Sequence, residues 1–375
     1  MKIQKLALAM GLLALTGCPL FAPVQFEAQV VPFRQFVGPN ALNNAGAVVG
    51  LVAPGFDPLQ GGGVWQDGMF MALPAPEGEG ANPVLINDNE TVIGSFEVPA
   101  EPPLQVWQDG AVMELPAPAN APELALRRVF GINNRGDLAG EAENSGSGPP
   151  NLPVLFREDG TAEQLALFRR ISFGGLRTFS TIPFAVNENL QVVGAAFPFD
   201  ITDSGESHPV IWEDGEIERL PTPGERWGSA SDINDSGWVV GMVRSTGGGF
   251  VPTTDLEFVV WVDGVMRTLR WRDGEPTDVI DINNRGDILT TYRIPVDTEG
   301  ESPFSSKWSA VLWRWNPVIE RHFPMEINGA TDIPGAEQLS FRGRALNDAG
   351  QILVRVFNPG SEGSTLYLLT PDVSA

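Results

Sequence analysis

Two histidines, His208 and His322, and a single cysteine, Cys18, limit what chemistry this 375-residue chain can do. A multi-histidine metal centre, a cysteine cluster and an intrachain disulfide are all excluded. Nucleophilic catalysis would need one of the two imidazoles beside a suitable partner. No Gly-x-Ser-x-Gly elbow, phosphate-cradling glycine loop or His-Glu-x-x-His pattern is present. Carboxylates are plentiful, with 47 Asp and Glu against 24 Lys and Arg and a formal net charge of −23. A carboxylate pair can hydrolyse a glycosidic bond, but Glu141 with Glu143 and Asp200 with Asp203 read as ordinary loop acids. Asp281-Ile282-Asn283-Asn284-Arg285-Gly286-Asp287 has the spaced oxygens of a calcium loop, yet no bidentate Glu follows at the required distance. No catalytic, metal-ligating or cofactor-binding residue is assigned on these grounds.

Binding is better represented than catalysis. Arg127 with Arg128, and Arg169 with Arg170, are paired positive charges in a strongly acidic chain. Trp227, Tyr292 and Trp308 are aromatics outside the repeating strand pattern described below. Arginine and aromatic side chains are common anchors for protein and glycan ligands. The plainer reading is that the arginines balance local acids and the aromatics cover seams. The net charge repels phosphate backbones, so a nucleic acid is not an expected partner.

The elements that would position these residues come from internal repetition. An apolar-Asn-polar-x-Gly unit followed by a β-branched pair recurs with its leading Asn at 43, 87, 133, 187, 234, 283 and 347. Two copies are degenerate, with Glu90 and Leu190 where the others have Gly. Between copies stands an aromatic and an Asp-Gly turn, as in Trp65-Gln66-Asp67-Gly68, Trp107-Gln108-Asp109-Gly110 and Trp212-Glu213-Asp214-Gly215. Asn bonds its own backbone two residues on, and Asp-Gly between apolar runs marks a tight hairpin. Each unit therefore reads as four short strands, often ending in Leu-Pro, and the recurring Trp reads as core or seam packing. No helix is expected beyond a leader and a turn over 123–128.

Seven such units predict an all-β, seven-bladed β-propeller of four-stranded antiparallel blades. The seventh unit stops after its third strand, near Tyr367 to Thr370, whereas an alternating segment, Val24 to Val31, precedes the first. That segment is expected to supply the outer strand of the last blade and so hide both chain edges. An open stack of hairpins is the alternative. Strand order puts all the short turns on one face. The variable second–third loops (95–103, 141–152, 195–208, 243–257, 291–307) and blade links (117–128, 167–183, 221–230, 319–343) fall on the other. Variable loops on a rigid frame are where binding sites gather.

The first residues read as an export signal: a basic start, the apolar run Leu6 to Leu15, then small residues. Leu15-Thr16-Gly17-Cys18 resembles a bacterial lipobox, which implies lipidation of Cys18 as the first mature residue. Ordinary cleavage nearby, leaving a free thiol, is the alternative. The division expected is a leader over 1–17, a lipid-anchored tether over 18–23 and the propeller over 24–375, with the membrane met only through that lipid. Location at a bacterial cell envelope follows, and at the outer membrane if the host is diderm.

The repeat itself resembles the HAF-type extracellular repeat of bacterial exported proteins. His208-Pro209-Val210-Ile211-Trp212-Glu213-Asp214-Gly215 is the unit nearest that pattern; Gly62-Gly63-Val64 and Leu104-Gln105-Val106 have lost its His. The resemblance covers nearly all of residues 30 to 370 and implies repeat type and export, with no shared catalytic residues. The expectation is a non-enzymatic, monomeric lipoprotein that binds a protein or glycan at its long-loop face. An exported carbohydrate-active enzyme (hydrolase or lyase) using rim carboxylates and a structural envelope component are the alternatives.

Overall fold

The computed structural model describes residues 24–32, 41–51, 61–77, 79–96, 103–144, 149–172, 175–198, 207–224, 226–244, 256–271, 274–295, 306–357 and 363–372. Cys18, the leader, the tether, Asp200, Asp203 and much of the second–third loops lie outside them. The strands form seven antiparallel sheets, each a blade of a closed β-propeller. The third blade is typical: Leu126–Ile132 innermost, then Leu138–Glu143, Asn151–Phe156 and Ala162–Gln164.

The last blade is closed by the two chain ends. Phe26–Val31 pairs antiparallel with Ser364–Pro371, setting Phe26 opposite Pro371 and Val30 opposite Tyr367. Phe26 is 2% exposed and packs with Phe341, Val354 and Leu369. The expected outer strand is thus in place.

Turn chemistry follows the sequence. Asp67, Asp109, Asp214 and Asp263 have φ of 50–52°, and the glycines after them 73–81°. Two successive left-handed residues make the hairpin turn whose twist matches that of the strands. The glycine of Val-Val-Gly has a different cause. Gly94, Gly140, Gly194 and Gly241 sit opposite a bulge in the innermost strand, between Pro83/Leu85, Val129/Gly131, Pro183/Ala185 and Ala230/Asp232. There an added Cβ would meet an inner-strand carbonyl at 2.0–2.2 Å.

Three details depart from the sequence reading. The fourth blade carries a fifth strand, because Arg169–Ser172 folds back on the start of Gly175–Val186. The turn expected over 123–128 is a short 3-10 turn, Pro122–Leu124, with strand from Leu126. His322 lies in a strand, Arg321–Glu326, rather than in a blade link.

Candidate functional site

The repeated Asn residues do more than make turns. Each side-chain oxygen accepts from backbone N–H groups within its own turn, as Asn133 does from Arg135 (3.1 Å) and Asp137 (2.9 Å). Each amide donates to the backbone carbonyl of the corresponding Asn one blade on. The circuit runs Asn43 to Asn87, Asn133, Asn187, Asn234, Asn283 and Asn347 at 3.0–3.2 Å, and closes from Asn347 to Asn43 at 2.9 Å. All seven residues are buried, so these bonds satisfy groups that would otherwise lie unpaired beside the axis.

A second ring lies on the first, built from the residue after each Asn. Asn44, Asp88, Asn134, Glu188, Asp235, Asn284 and Asp348 each donate a backbone N–H to the side chain one blade on. Amides bridge neighbouring acids: Asn284 donates to Asp235 at 2.7 Å and to Asp348 at 3.0 Å. These rings line an axial funnel of about 200 Å³ together with Asp232 and Asp281. Asp232 accepts the Ile282 N–H at 2.8 Å, and Asp281 that of Leu346 at 2.9 Å. Burial, then the neighbouring Asp281 charge, push the Asp232 carboxyl well above its ordinary range; burial also raises Asp281. The two carboxyls share a hydrogen bond. Their oxygens are largely occupied in joining the fifth, sixth and seventh blades, which is an architectural use of acids.

Neither histidine is poised for catalysis. His208 is 1% exposed and sits between Phe168 and Phe179, each ring 5.5 Å away. His322 bonds the Gly286 carbonyl through Nε2 at 2.9 Å and packs on Trp315 at 4.9 Å; burial pushes its pKa down. Three of the recurring Trp residues tie blades together. Trp107, Trp212 and Trp261 each donate from the indole at 2.8 Å to the carbonyl of Pro74, Ala166 or Pro221 at the end of the preceding blade. The Leu-Pro element therefore ends at an acceptor for the next blade's indole.

On the long-loop side the candidate residues are dispersed. Arg127 is exposed and pairs with Glu143 at 3.3 Å. Arg128 reaches within 3.9 Å of Glu141, a buried carboxyl whose pKa is raised first by burial and which also accepts from Asn151 at 3.3 Å. Glu141 and Glu143 thus each face an arginine. Arg169 and Arg170 open the extra hairpin of the fourth blade. Trp227 begins the innermost strand of the fifth blade, at the end remote from Asn234, with the Arg244 guanidinium 5.5 Å from its ring centre. Trp308 lies under the guanidinium of Arg342 at 4.3 Å. Tyr292 does not reach the surface: it is 1% exposed, packs edge-on with Phe258 and Trp271, and its hydroxyl faces the Leu269 carbonyl at 3.4 Å. Its sequence neighbourhood suggested a loop, but the strand Ile288–Pro295 extends past it and turns the ring inward. Among the described residues no group of three or more His, Cys, Asp and Glu is arranged to hold a metal ion.

Comparison with known proteins bears on the fold alone. No protein-family model matches this sequence, and no curated protein does. Among solved structures, the acylaminoacyl peptidase of Pyrococcus horikoshii is similar in two crystal structures. The orthorhombic form gives a TM-score of 0.52 at 11% identity, covering 94% of this chain and 52% of that one. The uncomplexed form gives 0.50 at 12% identity, covering 92% and 51%. The β-propeller domain of the Trilobed protease from Pyrococcus furiosus gives 0.44 at 11% identity, covering 91% and 85%. This chain spans about half the length of the peptidase. What the peptidase and this chain share is the fold.

Proposed function

We propose that this protein is a non-enzymatic exported lipoprotein, held at a bacterial envelope through a lipid on Cys18, which binds a protein or glycan through its long-loop face. The observation that carries this reading is the unequal use of the two faces. The short Asn turns are consumed in ring-closing hydrogen bonds, whereas the segments of variable length, with Arg127, Arg128, Arg169, Arg170, Trp227 and Trp308, belong to the opposite ends of the strands. Rigid frames that keep one face constant and vary the other are suited to recognition. His208 is packed between two phenylalanine rings and His322 is hydrogen-bonded and packed on Trp315, which favours binding over catalysis. The protein acts as a monomer, with no nucleic-acid partner and with membrane contact through the lipid alone.

Two experiments test it. Metabolic labelling with a radioactive fatty acid should mark the wild-type chain and leave Cys18→Ser unlabelled; equal labelling would remove the anchor. A glycan array and an envelope-protein array, probed with residues 19–375, should return a ligand whose binding falls at least tenfold in Arg127→Gln/Arg128→Gln or in Trp227→Ala. Gln108→Ala, beside a short turn, should leave binding unchanged. Loss in the Gln108 variant with retention in the others would move the site to the wrong face.

A further inference from the structure

Three arginines gather in the seventh blade. Arg342 and Arg355 are register partners on adjacent strands, Ser340–Leu346 and Ile352–Phe357. Arg344 follows at a register shift between Gly343 and Ala345, the position equivalent to half-buried Phe130 and Phe184 around the axis. Arg342 and Arg355 lie in the half of the blade away from the Asn347 turn, and Arg344 stands three residues before that Asn. One carboxylate serves it: Asp278 pairs with Arg342 at 3.1 Å. Arg342 is further held over the Trp308 ring. Arg344 and Arg355 have no such partner among the described residues, and the Nε of each is buried with no hydrogen bond. Arg355 is 7% exposed.

Buried guanidinium groups are normally paired, because an uncompensated charge away from water is strongly unfavourable. Here Arg355 is buried and Arg342 and Arg344 are half-buried beside it, with a single acid among them. Burial first, then the other arginines, lower the pKa of Arg355 to about 10, and burial with Arg342 lowers that of Arg344. A chain of net charge −23 has many acids to spare, yet among the described residues the one acid felt by either guanidinium is Asp278, which already pairs with Arg342. An oxyanion would supply what is missing, since a planar fork of N–H donors matches carboxylate, phosphate and sulfate oxygens two at a time.

We propose that Arg342, Arg344 and Arg355 form a binding site for an oxyanion group on the seventh blade, with Trp308 and Asp278 fixing Arg342. Arg342, with a side chain 34% exposed, meets the ligand first; Arg344 takes the second pair of oxygens; Arg355 supplies charge from behind. The group is a free inorganic anion or the carboxylate of an acidic sugar. The site stands on the blade's own geometry and does not depend on the rim binding a macromolecule.

Calorimetry and thermal melts on the chain from residue 19 onward, with inorganic phosphate and separately glucuronate as probes, decide it. Sodium chloride is used to hold ionic strength constant. Saturable binding with a rise in melting temperature of several degrees is expected for at least one probe. Phosphate alone identifies a free-anion site, and glucuronate displaced by phosphate identifies an acidic sugar. Arg344→Gln should weaken binding at least tenfold, while Arg127→Gln should bind as wild type. Because Arg355→Met alters a buried side chain, Arg344→Gln and Arg342→Gln carry the comparison; Arg344→Gln should melt no lower than wild type in the absence of anion. No binding of either probe beyond chloride, or undiminished binding in Arg344→Gln, overturns the proposal. Neither result touches the array test of the rim.

Discussion

The side-chain amide of Asn347 donates to the backbone carbonyl of Asn43 at 2.9 Å, joining residues 304 positions apart in sequence. It is the closing member of a circuit in which each blade holds the next by the same bond. Its own turn is fixed by the same side chain, which accepts the Gln351 N–H at 2.8 Å. One residue type therefore does two jobs, and substitutions can separate them.

Asn234→Asp keeps the oxygen that accepts from Ser236 and Trp238 but removes the donor to the Asn283 carbonyl. It should destabilise by about 1–3 kcal/mol at neutral pH, the range for an unsatisfied buried group. Part of the loss should return below about pH 4, where a protonated Asp can donate. Denaturant melts at pH 7 and pH 3.5, each compared with wild type, read the difference.

The chain ends give a sharper contrast. Phe26→Ala opens a cavity beneath the outer strand and should cost about 3–5 kcal/mol. Val30, 57% exposed on the same strand, should tolerate Ala within about 0.5 kcal/mol. Equal effects of the two changes in urea unfolding would mean the strand is not docked.

The Asp232–Asp281 pair predicts a pH dependence of definite sign. Both folded-state pKa values lie above the unfolded ones. Their contribution is complete below the ordinary Asp value of about 4 and is lost as pH rises towards the folded values. Asp232→Asn removes the need for that proton. Its melting temperature should match wild type near pH 4 and exceed it at pH 8 by about 1–4 °C. A variant deficit that grows with pH would contradict the assignment.

Glu90 occupies a left-handed turn position, φ 57°, where most sibling turns have Gly. It is exposed, so Glu90→Gly should remove strain with little lost packing and stabilise by about 1 kcal/mol. A lower melting temperature in this variant would show that Glu90 makes a contact outweighing the strain.

Much of the fold was legible because its signals are local. Asn and Asp-Gly turns are written in four or five consecutive residues, and seven copies imply blades. Val24 to Val31 stood out as an alternating segment without a unit of its own. The Asn circuit was not legible: a donor on one blade finds its acceptor some fifty residues away, which only the closed ring specifies. Nor was the arginine cluster, since Arg355 meets Arg342 through strand pairing and 319–343 had read as a link. Tyr292 was misplaced for the opposite reason, a strand longer than its siblings. Asp281 was weighed in the sequence only as part of a calcium-like loop and Asp232 drew no reading; their mutual contact follows from the packing of one blade on the next.

Hydrogen exchange at the N-terminal strand tests the closed ring, on which the assignment of faces rests. Amides of Phe26–Val31 that pair with the strand Ser364–Pro371 should exchange as slowly as those of the strands within the seventh blade, and should be released together with them in denaturant. Fast exchange across Phe26–Val31, with Ile352–Phe357 still protected, would contradict closure and with it the long-loop binding face.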